Sequence, residues 1–199
     1  MLLFCLSIIC FGYLLGAIPF GYILTKRYTG LNILELGSGN IGSTNVRRNA
    51  GKRLSVMVQA LDILKGFIPV GLVLLLEHNV RLDFPAYFIF LVALSPVIGH
   101  IFSVFLQFKG GKGVNTTLGA AILLAPFEIA FAIMLYFIVK WQTKYVSAGS
   151  LALAVSLPVS GVILGAEINL EIFLLICCFV IILRHKANIR RLIAGNELK

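Results

Sequence analysis

The chain has 199 residues, of which 59% are hydrophobic and 13% charged, and its formal net charge is +9. A typical soluble domain is about half apolar and a quarter charged, so this composition excludes an ordinary soluble protein. The basic residues cluster in short loops between apolar blocks, where attraction to anionic lipid headgroups explains them. A membrane partner is therefore expected, and a nucleic-acid partner is not.

Six apolar blocks follow one another, at about residues 2–24, 54–76, 85–106, 114–139, 147–165 and 170–183. A segment of about 20 apolar residues can cross the hydrocarbon core of a bilayer. The first block has no basic leader and no small-residue cleavage site, so we expect a retained span and not a signal peptide. The four cysteines lie inside these blocks without metal-ligand spacing, which predicts buried thiols and no disulfides.

The charge of the connecting loops predicts the orientation. Residues 26–53 carry six basic residues and one acid, whereas residues 77–83 carry one base, Arg81, and two acids, Glu77 and Asp83. Because cytoplasmic loops are enriched in lysine and arginine, the first segment is predicted inside and the second outside. The N-terminus is then outside, and the loop at 109–112 is cytoplasmic.

A simple count of crossings contradicts the basic charge of the C-terminus. Three full crossings after Lys112 would leave the basic segment 184–191 outside. Ala125-Pro126 divides the fourth block, and proline interrupts or bends a helix. Two half-helices, at about 114–124 and 127–139, are therefore predicted to form a re-entrant hairpin buried in protein.

The predicted fold is an all-α integral membrane protein with about seven membrane helices, namely five full spans plus the short hairpin. The N-terminus is outside and the C-terminus is cytoplasmic. The whole chain, residues 1–199, is predicted to be one polytopic domain.

Two ionisable residues fall inside the second block. Asp62 and Lys65 are three residues apart, so on a helix they share a face and can pair. Ionisable residues within a span are expensive and often functional, but a structural pair that orients the cytoplasmic loops is favoured here. His100 ends the third block, where a buried, hydrogen-bonded histidine is more common than a catalyst.

The first polar loop has the composition of a phosphate-binding segment. It reads GSGNIGSTNVRR over residues 37–48. No strand precedes its glycines and no lysine follows them, which excludes a dinucleotide-binding fingerprint and a Walker A loop. Glycines let successive backbone N–H groups converge on an anion, and arginine grips phosphate through its planar fork. The candidate donors are Ser38, Asn40, Ser43, Thr44 and Asn45, with Arg47 or Arg48 as the cation.

The second polar loop combines lysines with glycines. Residues 109–113 read KGGKG and open a predicted helix. A helix N-terminus carries unpaired N–H groups and partial positive charge, which suits an anion. Lys112 with Gly110, Gly111 and Gly113 is therefore a second candidate phosphate site.

The third polar segment, RHKANIRRLIAGNE, covers residues 184–197. A basic helix beside a span is usually a lipid-surface anchor. His185 and Asn188 exceed what an anchor requires. Neither His100 nor His185 is followed by the aspartate of the H-x4-D acyltransferase pattern, and the chain lacks the G-x-S-x-G elbow and the H-E-x-x-H zinc pattern. Its cations, amides and hydroxyls suit a substrate that brings its own leaving group.

Three ordered motifs, GSGNIGSTNVRR, GHIFSVFLQFKGGKG (99–113) and RHKANIRRLIAGNE, together resemble the bacterial acyl-phosphate:glycerol-3-phosphate acyltransferase family. The agreement extends over essentially the whole chain. The resemblance implies transfer of a fatty acyl group from acyl phosphate to the sn-1 hydroxyl of glycerol 3-phosphate, giving lysophosphatidate and phosphate, the first acylation of phospholipid biosynthesis. It also implies a seven-helix fold in the bacterial cytoplasmic (inner) membrane, with the active site facing the cytoplasm.

The resemblance also implies roles for individual residues. Lys112, Arg48 and His185 would be the catalytic residues, and Arg48 is preferred to Arg47. Neither a cofactor nor a metal is expected, and the partners are glycerol 3-phosphate, acyl phosphate and membrane lipids. The predicted substrate-binding residues are Ser38, Asn40, Thr44, Asn45, Gly110, Gly111, Gly113, Ser147, Ser150 and Asn188.

The competing class of function is a membrane transporter of a small phosphorylated anion, because transporters also present broken helices to anions. The basic groups lie at one predicted face and not at the midplane, and the two halves lack matching broken helices. The transferase is therefore favoured.

Overall fold

The computed structural model describes residues 1–80, 82 and 84–198, and over these residues the chain folds into ten α-helices and two short 3-10 turns. The helices group into two compact units, Met1–Leu123 and Leu124–Lys199. Arg81 and Asp83, on which the predicted charge of the 77–83 loop depends, lie outside the described residues. The assignment of one domain to residues 1–199 stays a prediction.

The first unit is built around a long helix, α4, which packs against α3, α5 and α6, while α1 packs against α5. Two 3-10 turns, Ile33–Glu35 and Val104–Leu106, lie in its loops. The helices are α1 (Leu2–Ala17), α2 (Phe20–Thr29), α3 (Ser43–Ala50), α4 (Lys52–Val80), α5 (Phe88–Ile101) and α6 (Val114–Ala121).

A break at Ile18-Pro19 divides the first apolar block into α1 and α2. Proline has no N–H to donate to a helix, and α2 begins directly after Pro19. The carbonyls at the break accept bonds from other parts of the chain: Ser103 Oγ, just after α5, donates to Ala17 O, and Lys65 Nζ of α4 lies 3.1 Å from Ile18 O. The broken helix therefore supplies backbone acceptors to buried polar side chains.

The second unit contains four helices, in which α7 packs against α8 and α8 against α9. The junction between α9 and α10 is bent by 60°. The helices are α7 (Pro126–Thr143), α8 (Val146–Leu164), α9 (Ile168–Arg184) and α10 (Lys186–Ile193).

The helical membrane architecture is confirmed at the level of candidate spans. Among the described residues, four helical stretches are long and apolar enough to cross a bilayer, and five if α9 and α10 count as one: Leu2–Thr29, Lys52–Val80, Phe88–Leu106, Val146–Leu164 and the bent pair. The predicted interruption at Ala125-Pro126 is confirmed, although α6 already ends at Ala121. The count of seven membrane helices, the re-entrant hairpin and the orientation stay predictions.

A small hydrophobic cluster supports the first polar loop from below. It contains Ile33, Ile41 and Val46 from the loop and α3, and Leu54 and Val58 from the start of α4. Burial of these side chains stabilises the loop because apolar surface is removed from water or polar headgroups. The loop that carries the polar groups is therefore packed against a hydrophobic cluster.

Candidate active site

One buried amide organises the first loop. Asn45 is 2% exposed, and its Nδ2 lies 2.9 Å from the carbonyls of Leu36 and Asn40 and 3.2 Å from that of Ile33. Its Oδ1 accepts a bond of 3.0 Å from the backbone N–H of Ser38. Asn45 therefore ties together segments of the loop that are up to twelve residues apart.

The amide of Asn45 is thus used for the loop itself, although the sequence suggested a substrate donor. Its substrate-binding role stays a prediction, and its contacts give it a bracing role. Asn40 also braces the loop, since its Oδ1 accepts from the N–H of Gly42 at 2.8 Å. Ser38 is exposed and Thr44 is half-buried at the start of α3.

The structure distinguishes the two arginines of the first loop. Arg47 is exposed, whereas Arg48 is half-buried and makes contacts with the protein. A partly buried guanidinium has fewer orientations available than an exposed one. The geometry thus supports the choice of Arg48, and its catalytic role stays a prediction.

The glycine loop, residues 109–113, folds back on the end of α5. The N–H of Gly110 donates to Ile101 O at 3.0 Å, and the N–H of Gly111 donates to His100 O at 2.9 Å. Gly113 adopts a left-handed φ of 89° directly before α6. Gly110, Gly111 and Gly113 are buried and Lys112 is half-buried, so the predicted loop residues are brought together in a defined backbone conformation.

The two polar loops of the first unit meet at the starts of two helices. Asn115 Nδ2, in the first turn of α6, donates to Ser43 Oγ, at the start of α3, at 3.3 Å. Ser55 of α4 holds the same turn through a 2.8 Å bond to Ser43 O. The first N–H groups of a helix have no partner within it, and the helix dipole favours negative charge there. Two such helix ends therefore lie side by side.

The predicted pair of Asp62 and Lys65 is confirmed, with 2.9 Å between Lys65 Nζ and Asp62 Oδ1. His100 is also buried as predicted, at 4% exposure. Its Nδ1 lies 2.7 Å from Lys65 Nζ, a contact that the sequence did not indicate. The only hint in the sequence was the position of His100 shortly before the glycine loop.

In the second unit, Glu197 is the centre of a cluster that we call the C-terminal clamp. Its Oε1 accepts from Asn188 Nδ2 at 2.6 Å and from Ser147 Oγ at 3.0 Å, and its Oε2 accepts from Arg191 Nε at 2.8 Å. Burial raises the pKa of the Glu197 carboxyl, but these hydrogen bonds and the charge of Arg191 together outweigh burial, so the net pKa lies below its ordinary value.

His185 lies at the bend between α9 and α10 and is 1% exposed. Its Nδ1 lies 2.8 Å from Ile181 O. A carbonyl oxygen can only accept, so Nδ1 carries a proton, and in the neutral ring Nε2 is the acceptor. Ser150 is buried too, and its Oγ donates to Val146 O at 3.0 Å.

Each unit thus gathers part of the predicted site. The first unit joins the first loop to the glycine loop, and the second joins Ser147 and Asn188 through Glu197. Glu197 was recognised in the sequence only as an acid of the motif. Its partner Ser147 is 50 positions away, and no local pattern reveals such a contact.

Similarity to known proteins extends over nearly the whole chain. The family model for glycerol-3-phosphate acyltransferase matches residues 6–195. A glycerol-3-phosphate acyltransferase of Clostridium acetobutylicum is 41% identical over 186 residues, which cover 93% of this chain and 94% of the relative. The relative of the same name from Aquifex aeolicus is 36% identical over 192 residues, which cover 96% of this chain and 97% of that protein.

Two crystal structures of PlsY, an integral membrane glycerol 3-phosphate acyltransferase, have a similar fold. The glycerol 3-phosphate form superposes with a TM-score of 0.89 and the lysophosphatidic acid form with 0.86. Each is 35% identical in sequence and covers 98% of this chain and 94% of its own. The motifs, the helical fold and these matches together establish that the chain belongs to the glycerol-3-phosphate acyltransferase family.

Proposed function

We propose that the chain transfers a fatty acyl group from acyl phosphate to the sn-1 hydroxyl of glycerol 3-phosphate, the first acylation of phospholipid biosynthesis. The products are lysophosphatidate and inorganic phosphate. Family membership supports the acceptor, and the names of the two solved PlsY forms, with glycerol 3-phosphate and lysophosphatidic acid, match an acceptor and a product of this reaction. The same membership favours the transferase over an anion transporter.

The observation that carries this proposal is the contact between Asn115 and Ser43 at 3.3 Å. It joins the starts of α3 and α6, where the N–H groups and partial positive charge of both helices suit an anion. Lys112 lies two residues before the start of α6, and Arg48 lies within α3. The first unit thereby offers two helix ends and two cations to phosphate oxygens, with Ser38, Asn40 and Thr44 as neutral donors.

The chemistry that we propose needs no covalent intermediate. Acyl phosphate is a mixed anhydride, so its phosphate is already a good leaving group. The sn-1 oxygen attacks the acyl carbonyl carbon, a C–O ester bond forms, and the C–O bond to phosphate breaks. Lys112 and Arg48 stabilise the negative charge that collects on the departing phosphate. The hydroxyl proton passes to His185 Nε2 or to a phosphate oxygen of the substrate.

His185 has the geometry for either of two roles. Its Nδ1–H is bonded to Ile181 O, so Nε2 can accept a hydroxyl proton or merely orient the hydroxyl through a hydrogen bond. Orientation of glycerol 3-phosphate is the role that we propose first. If His185→Gln keeps most of kcat and raises KM for glycerol 3-phosphate, His185 is not the base. A loss confined to kcat would assign it the proton.

We further propose that the protein is a single domain with five full spans and a hairpin in a bacterial inner membrane. The N-terminus is outside, and the C-terminus and the active site face the cytoplasm. The charge of the loops supports this orientation. Single cysteines at Glu77 and Lys109, in a chain without its native cysteines, test it with a thiol reagent that cannot cross the membrane. We expect the reagent to label intact cells at position 77 only. Labelling at position 109 and not at position 77 would show that the orientation is the opposite of the one proposed.

Phosphate release by the purified protein tests the proposed reaction. With palmitoyl phosphate and glycerol 3-phosphate together, we expect stoichiometric phosphate and lysophosphatidate. Equal release without glycerol 3-phosphate would indicate a hydrolase, and uptake into liposomes without chemistry would indicate a carrier. Arg48→Gln is expected to lower kcat/KM about 100-fold. The neighbouring exposed Arg47→Gln is the matched control and is expected to stay within about threefold.

A further inference from the structure

The ammonium group of Lys65 in the middle of α4 has three acceptors. They are Asp62 Oδ1 at 2.9 Å, His100 Nδ1 at 2.7 Å and Ile18 O at 3.1 Å. Lys65 is 1% exposed. An ammonium group has three N–H donors, so these three contacts use all of them. The acceptors come from α4, from α5 and from the break between α1 and α2, and Lys65 therefore fixes these three segments relative to one another.

This arrangement also determines the state of the His100 ring. An ammonium group only donates, so as partner of the charged Lys65, at 2.7 Å, Nδ1 is the acceptor and Nε2 carries the ring proton. Lys65 thereby holds the ring in one orientation. A bonded nitrogen on one side of an imidazole fixes what the other side presents.

The other side of the ring packs against the glycine loop. A Cβ at Gly111 would overlap Nε2, Cε1 and Cδ2 of His100. A Cβ at Gly110 would overlap the carbonyl oxygens of His100 and Ile101. Both glycines also donate backbone hydrogen bonds to those carbonyls. The imidazole and the end of α5 therefore form the surface on which the loop rests, with Lys112 the next residue.

The far end of the loop is fixed by the same helix that carries Lys65. Gly66 approaches Thr116 O and Ala120 N of α6 so closely that a Cβ would overlap them, and Gly119 of α6 approaches Ile63 O of α4 in the same way. Lys112 is thus placed between a ring held by α4 and a helix packed on α4. Three glycines among five residues would otherwise leave this loop mobile.

We propose that Asp62, Lys65 and His100 are positioning residues that hold the glycine loop so that Lys112 is aimed at the reacting phosphate. Asp62 fixes Lys65, Lys65 fixes the imidazole, and the imidazole supports Gly111. The inference rests on the proposed function for the role of Lys112, whereas the support of the loop is independent of the substrate. Displacement of a catalytic group by about 1 Å can cost about 100-fold in rate.

Two variants test the proposal in the purified, full-length protein. In His100→Asn, the amide can keep the bond to Lys65 but no longer reaches Gly111. In the double variant Asp62→Leu, Lys65→Met, both charges are removed together, which avoids leaving one of them buried and unpaired. For each, we expect kcat/KM for glycerol 3-phosphate to fall about 10- to 100-fold. Val73→Ala, in the buried part of α4 and away from the loop, is the control for general destabilisation.

Hydrogen exchange of the Gly110 and Gly111 amides provides a readout that does not depend on the reaction. We expect both amides to exchange faster in His100→Asn and in the double variant, and at the wild-type rate in Val73→Ala. Wild-type exchange together with wild-type kcat/KM in the two test variants would overturn the proposal. Faster exchange in an enzyme that does not use acyl phosphate would leave the loop support intact and reject only the proposed donor.

A double-mutant comparison tests whether the effect passes through Lys112. If it does, adding His100→Asn to Lys112→Met lowers the residual kcat/KM by less than about twofold, because the group being positioned is already absent. A full 10-fold further loss would show that His100 acts by another route and would overturn the assignment. The unfolding midpoint of each variant, compared with that of Val73→Ala, separates this loss from loss of the folded protein.

Discussion

The first loop and the C-terminal clamp are stabilised in the same manner by side chains of different charge. In each, one buried side chain ties distant parts of the chain together: Asn45 in the first unit and Glu197 in the second. Asn45 is neutral and bonds mainly to backbone carbonyls. Glu197 is an acid and bonds to the side chains of Ser147, Asn188 and Arg191. A neutral centre adds no charge to the first loop, whereas the charged centre of the clamp pairs with one arginine.

Asn45→Asp should have the largest effect on this comparison. The carboxylate retains an acceptor for Ser38 N–H but faces three carbonyl oxygens with no donor. A buried polar group left without a partner costs about 1–3 kcal/mol, and more when it is charged. We expect kcat/KM to fall by about 100-fold or more.

Asn79→Asp is the matched control for that variant. Like Asn45, Asn79 donates to a backbone carbonyl, that of Leu75, but its side chain is exposed. It should remain within about twofold of the wild type, because water replaces an exposed hydrogen bond at little cost. Equal losses in Asn45→Asp and Asn79→Asp would contradict the role of Asn45 as the centre of the loop.

The second largest effect is expected from substitutions at a pair of glycines. Gly37 and Gly195 both have left-handed φ angles, +57° and +71°. A Cβ at Gly37 would overlap Asn45 Oδ1 and crowd Asn49 Nδ2, while a Cβ at Gly195 meets nothing within 4 Å. Both alanine variants bear the strain of about 1–2 kcal/mol for this backbone conformation. Gly37→Ala should also displace Asn45, so we expect a roughly 10-fold greater fall in kcat/KM than in Gly195→Ala.

Glu197→Gln should have a smaller effect. The amide oxygen can still accept from Asn188 and Ser147, but the charged bond to Arg191 is lost. Arg191 is partly exposed, at 31% for its side chain, so solvent screening limits this loss to about 1 kcal/mol. We expect kcat/KM to fall about fivefold. Glu197→Ala, which leaves Asn188 and Ser147 without this acceptor, should lose more; an equal effect of the two variants would contradict the hydrogen-bond role of Glu197.

The smallest expected difference between the centres Asn45 and Glu197 is in how the stability of the protein depends on pH. The pKa of Glu197 is lowered from its ordinary value of 4.5, so its stabilisation is fully present above pH 4.5 and is lost as the pH falls through the lowered pKa. The difference in unfolding temperature between the wild type and Glu197→Gln should be constant from pH 7 to about 5 and should close in stronger acid. A difference independent of pH would contradict the assignment.

Local patterns in the sequence predicted the features that depend on near neighbours. Pro126 indicated the interruption between α6 and α7, and the spacing of Asp62 and Lys65 indicated their pairing. The glycines and lysines at 109–113 indicated a loop that opens a helix. These features follow from the backbone chemistry of proline and glycine and from the helical repeat.

Features that depend on distant partners could not be predicted in the same way. Nothing near Asn45 indicates that its amide faces inward to Ile33, and nothing near Glu197 indicates Ser147. The division of the first block at Pro19 was missed, although proline is a known helix breaker, because the hydrophobicity there is continuous over both helices. Amide and carboxylate side chains serve equally well as ligand contacts or as internal braces, and only their partners decide between these uses.

The break at Ile18-Pro19 has a consequence for how the protein is made. A lysine at the centre of a membrane helix opposes insertion by about 2.5–3.5 kcal/mol when it is alone. Ribosomes synthesise Ile18 and Asp62 before Lys65 and His100 after it, so two of the three acceptors of the ammonium group already exist when α4 enters the bilayer. His100, the third acceptor, becomes available only when α5 has been inserted. The order in which the helices are inserted therefore determines when the charge of Lys65 has all its partners.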